Sequence, residues 1–186
     1  MYKILISITF VLSLMIYIPT GAAYTIDSTP TYVYGINNIV LADGNTYDVS
    51  FEFGTWTYIF GGSFPFSTAS DTENSLQLID DALNSLSPVR AKVGNDSNTG
   101  YFYIPFQFSP INPNNVEVRL SYFDDNSHYQ PPYTNLWVVD FGGSYHPAKN
   151  ATWMYAVCSP VPIPGAMLLL GSGLIGIVGV RRKFKT

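Results

Sequence analysis

The residue types that most often carry out chemistry are few in this chain and lie far apart. The chain has two histidines, His128 and His146, without H-x-x-x-H spacing, and a single cysteine, Cys158, so no C-x-x-C pair exists. A zinc site would require distant positions to converge, and no G-x-S-x-G motif marks a serine nucleophile. We therefore predict no catalytic residues, no metal and no cofactor, and we expect that the protein is not an enzyme.

One loop has the residue types of a calcium site. Residues 94–100 place Asp96, Asn98 and Gly100 in D-x-N-x-G order, and oxygen ligands in a glycine-containing loop suit Ca²⁺. The same residue types build ordinary tight turns, and the glutamate that completes an EF-hand loop is absent. A plain turn is the main prediction, and a calcium-dependent binding module with ligands at Asp96 and Asn98 is the alternative.

Aromatic side chains are the remaining chemical signal. They make up 16% of the chain, which has fourteen tyrosines. Aromatic rings alternating along strands are usually core, but rings in a polar loop can stack on a ligand. The proline-broken segment 126–137 carries His128, Tyr129, Tyr133 and Trp137, and we predict that these four residues form a ligand-contact surface.

The charge distribution excludes one class of partner. All thirteen acidic residues but only four of the nine basic residues lie between Tyr24 and Pro160, which gives this part of the chain a formal charge of −9. Nucleic acid requires basic side chains to neutralise its phosphates. We therefore expect no nucleic-acid partner.

The elements that position these residues are mainly predicted strands. Tyr47, Val49, Phe51 and Phe53 alternate with polar residues after an Asp-Gly-Asn turn at 43–45, which predicts a hairpin with these four aromatic and aliphatic side chains on its buried face. Other extended segments are bounded by Gly, Pro and Asn. The predicted strands cover residues 39–42, 55–60, 101–108, 115–123, 136–141 and 152–158.

One segment has a helical period instead. Apolar residues recur on one face between residues 72 and 86, and Ser70 and Glu73 have the spacing of a capping box. We expect a helix over 72–86 that packs on the sheet, with its carboxylates facing solvent, namely Asp71, Glu73, Asp80 and Asp81. The predicted fold is α+β, an antiparallel β-rich domain with one amphipathic helix.

The N-terminus has the order of an export signal. A basic start that includes Lys3 precedes an uncharged, mainly apolar run over residues 4–18, and small residues follow Pro19. We predict a signal peptide over residues 1–23, cleaved between Ala23 and Tyr24. An uncleaved membrane anchor is the alternative.

The C-terminus has the pattern of a short membrane span with a basic end. Residues 163–180 carry no charge, and as a helix they would extend about 27 Å, close to the thickness of a bilayer core. The positive-inside rule keeps the basic end, residues 181–185, in the cytoplasm. The four cations of this stop are Arg181, Arg182, Lys183 and Lys185.

These C-terminal residues also carry a family resemblance. The order of "VPIPGA", a glycine-rich apolar span and "RRKFK" resembles the PEP-CTERM sorting signal, with Ile163 in place of the usual glutamate. A looser resemblance to ectodomains of such proteins covers much of residues 35–110, through "DGNTYDVSFEFGTW", a glycine-phenylalanine loop and "YIPF". The residues that match the sorting motif are Val161, Pro162, Ile163, Pro164 and Gly165.

The resemblance implies a location and a set of partners. It implies export across the inner membrane of a Gram-negative bacterium, processing by signal peptidase and exosortase, transient anchoring in the inner membrane, and sorting to the cell surface or the extracellular matrix. It further implies association with exopolysaccharide and biofilm. We thus expect an exported domain over residues 24–160, a sorting tail over 161–186 and a non-enzymatic function, with a secreted polysaccharide hydrolase as the alternative.

Overall fold

A computed structural model of the protein describes residues 23–94, 100–124, 135–140 and 145–162. These residues form one eight-stranded sheet and two helices. The helices are α1 (Trp56–Phe60) and α2 (Ala69–Asn84). The strands are β1 (Thr25–Ser28), β2 (Tyr32–Val40), β3 (Thr46–Thr55), β4 (Lys92–Val93), β5 (Tyr101–Phe108), β6 (Val116–Phe123), β7 (Trp137–Val139) and β8 (Thr152–Pro160).

The strands follow the order β1-β2-β3-β8-β5-β6-β7, and the short β4 pairs with β2. The pairing is antiparallel except between β2 and β4 and between β5 and β8. The last of the described strands, β8, therefore lies in the middle of the sheet, where it joins the hairpin β2–β3 to the hairpin β5–β6. The predicted β-rich, mostly antiparallel fold with an amphipathic helix is confirmed at this level.

The predicted hairpin is present between β2 and β3. Gly44 has a φ of 80°, and its amide donates to the carbonyl of Leu41 at 2.9 Å to close the turn. Tyr47, Val49 and Phe51 are buried as expected, but the prediction was wrong for Phe53, whose side chain is 52% exposed. Phe53 lies near the end of the strand, beyond the part of this face that the buried cluster covers.

The sequence predicted a strand over residues 55–60, and this prediction was wrong. Thr55 is the last residue of β3, and residues 56–60 form helix α1. Thr55 keeps an extended backbone, and its hydroxyl accepts from the amide of Tyr58 at 3.3 Å, which makes it an N-cap. Gly61 ends the helix in the left-handed conformation at φ 58°. Two capping residues thus override the strand propensity of the aromatic residues between them.

Helix α2 confirms the predicted amphipathic helix but begins three residues earlier. Its N-cap is Thr68, whose hydroxyl accepts from the amide of Asp71 at 3.0 Å, so the predicted Ser70 cap was wrong. The solvent exposure expected for Asp80 was also wrong, because this residue has 0% exposure. The helix contacts β2, β5, β6 and β7, so a wide arc of its surface is buried.

Strands β5, β6 and β8 are buried on both faces over much of their length. On the face covered by α2, the core includes Phe102 of β5 and Met154 of β8 together with residues of the helix. On the other face, Tyr103 and Tyr155 pack with Trp56 of α1 in a second cluster. Successive side chains of β5 and β8 thus point alternately into the two cores. This accounts for the long apolar runs in these strands.

Candidate functional site

Three aromatic rings from distant positions meet where the loop after α1 approaches the end of β5. Trp56 comes from α1, Phe64 from the loop over residues 61–67, and Phe108 from the end of β5. Their ring centroids lie 5.1 to 5.4 Å apart, within the range of favourable aromatic pairs. Phe108 nevertheless remains 48% exposed, so the cluster presents an aromatic surface to solvent.

This surface forms part of a groove of about 530 Å³, which we call the loop groove. One wall is residues 64–67 of the loop after α1, and the other is the end of β5. The turn of the β2–β3 hairpin and the first turn of α2 add one carboxylate each. The lining residues are Asp43, Phe64, Pro65, Phe66, Ser67, Asp71, Phe106, Gln107 and Phe108.

Asp43, from the hairpin turn, is held by a network of donors. Its Oδ2 accepts from Tyr47 Oη at 2.6 Å and from Asn45 Nδ2 at 2.8 Å, and its Oδ1 accepts from the amide of Asn45 at 3.0 Å. Partial burial opposes ionisation, but the hydrogen bonds from Tyr47 and Asn45 outweigh it and hold the pKa of Asp43 below its ordinary value. Asp43 is therefore an ionised hydrogen-bond acceptor.

Asp71 is fixed by the N-terminal cap of α2. Its Oδ2 accepts from the hydroxyl of Thr68 at 2.7 Å, and its amide donates to the same hydroxyl. Its side chain is therefore oriented by the cap while it lines the groove. Neither Asp71 nor Asp43 forms an ion pair within the described residues.

A partly buried ionic network lies behind the β5 wall. Gln107 donates from Nε2 to Glu117 Oε2 at 2.6 Å. Arg119 donates from Nε to Glu73 Oε1 at 2.7 Å, and its Nη1 lies 3.5 Å from Glu117 Oε1. The guanidinium also lies 4.8 Å from the ring centroid of Phe106, which lines the groove. The network therefore joins α2 to β6 and fixes the orientation of Gln107.

A second depression of about 300 Å³ is lined in part by the same loop. It shares Phe64 and Pro65 with the loop groove and is also lined by Tyr47 and Cys158. Burial raises the pKa of the Cys158 thiol to about 12, and the charge of Asp43 adds to this effect. Because the thiolate is the reactive form of cysteine, this thiol is unsuited to nucleophilic chemistry.

The aromatic surface predicted from residues 126–137 is corrected at Trp137. This side chain is only 2% exposed, and it packs against Phe102 and Phe123. Its Nε1 donates to the carbonyl of Arg90 at 2.7 Å, and its backbone exchanges two hydrogen bonds with the side chain of Asn84. Trp137 is thus a core residue that ties β7 to the end of α2, rather than a ligand contact.

The other predicted contact residues and the calcium alternative lie outside the described residues. These are His128, Tyr129 and Tyr133, and the two oxygen ligands Asp96 and Asn98. Among the residues that the structure does describe, no group of three or more His, Cys, Asp or Glu side chains is arranged to hold a metal ion.

The predicted processing sites lie at the two ends of the described chain. Ala23 and Tyr24 are exposed just before β1. Val161 follows β8, and its amide donates to the carbonyl of Thr46 at 2.9 Å, while Pro162 is exposed. Outside the described residues lie residues 1–22 of the predicted signal peptide, the motif residues Ile163, Pro164 and Gly165, the predicted span 163–180, and the basic residues Arg181, Arg182, Lys183 and Lys185.

Within the described ranges, no helix has both the length and the apolar character needed to cross a bilayer.

Sequence reasoning did not identify the loop groove. Its lining comes from residues 43, 64–67, 71 and 106–108, which no local pattern connects. One signal was available in the sequence, since "GGSFPFS" places two phenylalanines in a segment of Gly, Ser and Pro that has neither a strand nor a helix period. Large apolar side chains in a loop indicate either a small satellite core or a contact surface.

Comparison of the chain with protein-family models, with curated proteins and with solved structures gives no match.

Proposed function

We propose that this protein is an exported, non-enzymatic surface or matrix protein that binds polysaccharide through the loop groove. The observation that carries the proposal is the combination of exposed phenylalanine with fixed carboxylates in one open groove. Sugar rings have apolar C–H faces that pack on aromatic rings, and their hydroxyl groups donate hydrogen bonds. The loop groove offers aromatic rings for the apolar faces and carboxylates for the hydroxyl groups.

The ionisation of Asp43 favours binding over hydrolysis. A glycosidase uses two carboxyl groups, one of which must remain protonated to act as the acid. In the groove, Asp43 has a lowered pKa, so it suits an acceptor and not an acid. A carboxyl group with a raised pKa is present at Asp80, but it does not line the groove and is bonded to Ser121 in the interior.

The proposed location rests on the two ends of the sequence. The signal peptide over residues 1–23 directs export, and the tail over 161–186 anchors the protein in the inner membrane until exosortase acts on the motif Val161 to Gly165. The processed protein is then at the cell surface or in the extracellular matrix, with exopolysaccharide as its partner. The acidic domain is unsuited to nucleic acid.

Processing can be tested in a Gram-negative host that has an exosortase. The mature protein should begin at Tyr24 and should lack the basic end from Arg181 to Lys185, as read by mass spectrometry of the purified product. A variant with Pro162 and Pro164 replaced by alanine should accumulate with its tail intact. An intact precursor in the cytosol would contradict the proposal.

Polysaccharide binding can be tested with Phe108→Ala in the domain over residues 24–160. We expect binding to immobilised exopolysaccharide to weaken about tenfold, because the most exposed ring of the groove is removed. Tyr58→Ala is the matched control, since Tyr58 is 87% exposed but lies outside the groove. Thermal unfolding of both variants checks that the fold is retained.

Two outcomes would count against the proposal. Equal loss of binding in the Phe108 and Tyr58 variants would show that the groove is not the contact surface. Release of new reducing ends from the polysaccharide, abolished by Asp71→Asn, would establish the hydrolase alternative instead.

A further inference from the structure

The polar groups that face the loop groove are mainly acceptors of hydrogen bonds, and the following inference rests on the function proposed above. Two of them are the carboxylates of Asp43 and Asp71. An ionised carboxylate can only accept, and each of its oxygens can accept more than one hydrogen bond. Both side chains are held in place by protein donors, so they are oriented before a ligand arrives.

Gln107 adds a further acceptor. Its Nε2 donates to Glu117 at 2.6 Å, and because a carboxylate cannot donate, this contact fixes the amide with its nitrogen toward Glu117. One donor of the amide is thereby used within the protein, and the carbonyl oxygen remains for a ligand. The ion pairs of Arg119 with Glu73 and Glu117 hold this arrangement from behind.

The charged side chains that line the groove, Asp43 and Asp71, are both acidic. Asp43 and Asp71 are not compensated by ion pairs within the described residues, and the guanidinium of Arg119 is shared between two glutamates. Lys149 places a cation near the exposed ring, with Nζ 5.2 Å from the centroid of Phe108. The exported domain as a whole carries a formal charge of −9. An anionic polymer would therefore meet repulsion.

We propose that the loop groove selects polysaccharides whose sugar rings carry free, protonated amino groups over neutral or uronic acid polymers. An ammonium group has three donors and no acceptor, which complements two carboxylates and a fixed carbonyl. The ring that bears the amine packs on Phe108 and Phe64, so the apolar and charged parts of one sugar are recognised together. N-acetylation removes the charge, and a uronate reverses it.

The experiment compares three sets of oligosaccharides of equal length by isothermal titration calorimetry at low ionic strength, below the pKa of the sugar amine. The sets are oligomers of glucosamine, of N-acetylglucosamine and of galacturonic acid. Glucosamine oligomers should bind at least about fivefold more tightly than the N-acetylated ones, and galacturonic acid oligomers more weakly still. The preference should decrease as salt is added, because salt screens exposed charges.

Asp71→Asn should weaken binding of the glucosamine oligomers far more than binding of the N-acetylated oligomers, and so remove most of the preference. Asp81→Asn is the matched control, because Asp81 is an exposed acid on the same helix that does not line the groove. Phe108→Ala should weaken both kinds of oligomer, since it removes ring packing that they share.

The outcomes separate this inference from the function on which it rests. Equal binding of glucosamine and N-acetylglucosamine oligomers, with no difference between the Asp71 and Asp81 variants, overturns the amino-sugar preference and leaves polysaccharide binding standing. Tighter binding of galacturonic acid oligomers, lost in Lys149→Gln, overturns it in the same way. If no oligomer and no immobilised exopolysaccharide binds, the proposed function itself fails.

Discussion

Asp80 shows how one buried carboxyl group changes the acid–base behaviour of the fold. Its Oδ1 accepts from the hydroxyl of Ser121 at 2.6 Å, while Oδ2 is buried without a hydrogen-bond partner. Burial raises the pKa of Asp80 to about 8, the charge of Asp81 adds to the shift, and the bond from Ser121 opposes it. At neutral pH the folded protein therefore favours the protonated form, which avoids a buried charge.

We expect this group to make the folded state less stable as the pH rises from about 4 to about 8. In this window the unfolded chain releases the proton of Asp80 while the folded chain retains it, so ionisation favours unfolding. Asp80→Asn should remove this contribution and raise the free energy of unfolding at pH 7 by on the order of a few kcal/mol. Urea unfolding over a series of pH values measures the effect.

The control for this experiment is Asp27→Asn, which changes an exposed carboxylate on the edge strand β1. It should keep the pH dependence of the wild type. If the Asp80 and Asp27 variants lose stability with pH at the same rate as the wild type, Asp80 is ionised in the folded state and the expectation is wrong.

At the scale of the elements, caps decide where the helices begin. The hydroxyl of Thr68 satisfies the amide of Asp71, and Asp71 in turn accepts from that hydroxyl. Glu73, which the sequence predicts as a capping partner of Ser70, instead pairs with Arg119 of β6. The spacing of Ser70 and Glu73 therefore does not form a capping box in this fold. Glu73 forms a tertiary ion pair with Arg119 instead.

Thr68→Ala should lower the free energy of unfolding by about 1 kcal/mol, since the first turn of α2 loses its side-chain acceptor. Ser70→Ala tests the cap that the sequence predicted. It should change stability by less than about 0.5 kcal/mol, the usual range for surface substitutions away from such features. Chemical denaturation of both variants distinguishes the two caps, and a larger loss for Ser70→Ala would reverse the assignment.

At the scale of the whole molecule, Gly94 lies where three strands approach one another. Its amide donates to the carbonyl of Val33 in β2 at 2.8 Å, and its φ is 68°. A Cβ atom at this position would lie 2.7 Å from Cε of Met154 and 3.1 Å from the carbonyl oxygen of Phe51. Only glycine meets both the conformational and the spatial requirement without displacing β8 or β3.

Gly94→Ala should therefore lower the free energy of unfolding by about 2 to 4 kcal/mol, through backbone strain and overpacking together. Gly44→Ala is the matched control, because Gly44 also has a positive φ but a Cβ there would contact nothing within 4 Å. It should lose only the strain, about 1 to 2 kcal/mol. Equal losses in denaturant unfolding would show that Met154 moves aside without cost.

The local pattern of the sequence determined much of the architecture. The Asp-Gly-Asn segment identified the β2–β3 turn, and alternation identified the inward face at Tyr47, Val49 and Phe51. The extended run over residues 101–108 identified strand β5. The helical period identified α2. These features could be predicted because a strand repeats every two residues and a helix every 3.6, so near neighbours in sequence carry the information.

Tertiary structure alone decided which distant segments meet. The insertion of β8 between β3 and β5, the burial of Asp80 and Trp137, and the groove that joins Asp43, Phe64 and Phe108 all depend on contacts between residues far apart in the chain. From the sequence alone, a charged residue on a helix is expected to be exposed. Its burial is recognised only when the strand that covers it is known. The physical reason is that burial and proximity are properties of the packed sheet, and the period of a single element does not contain them.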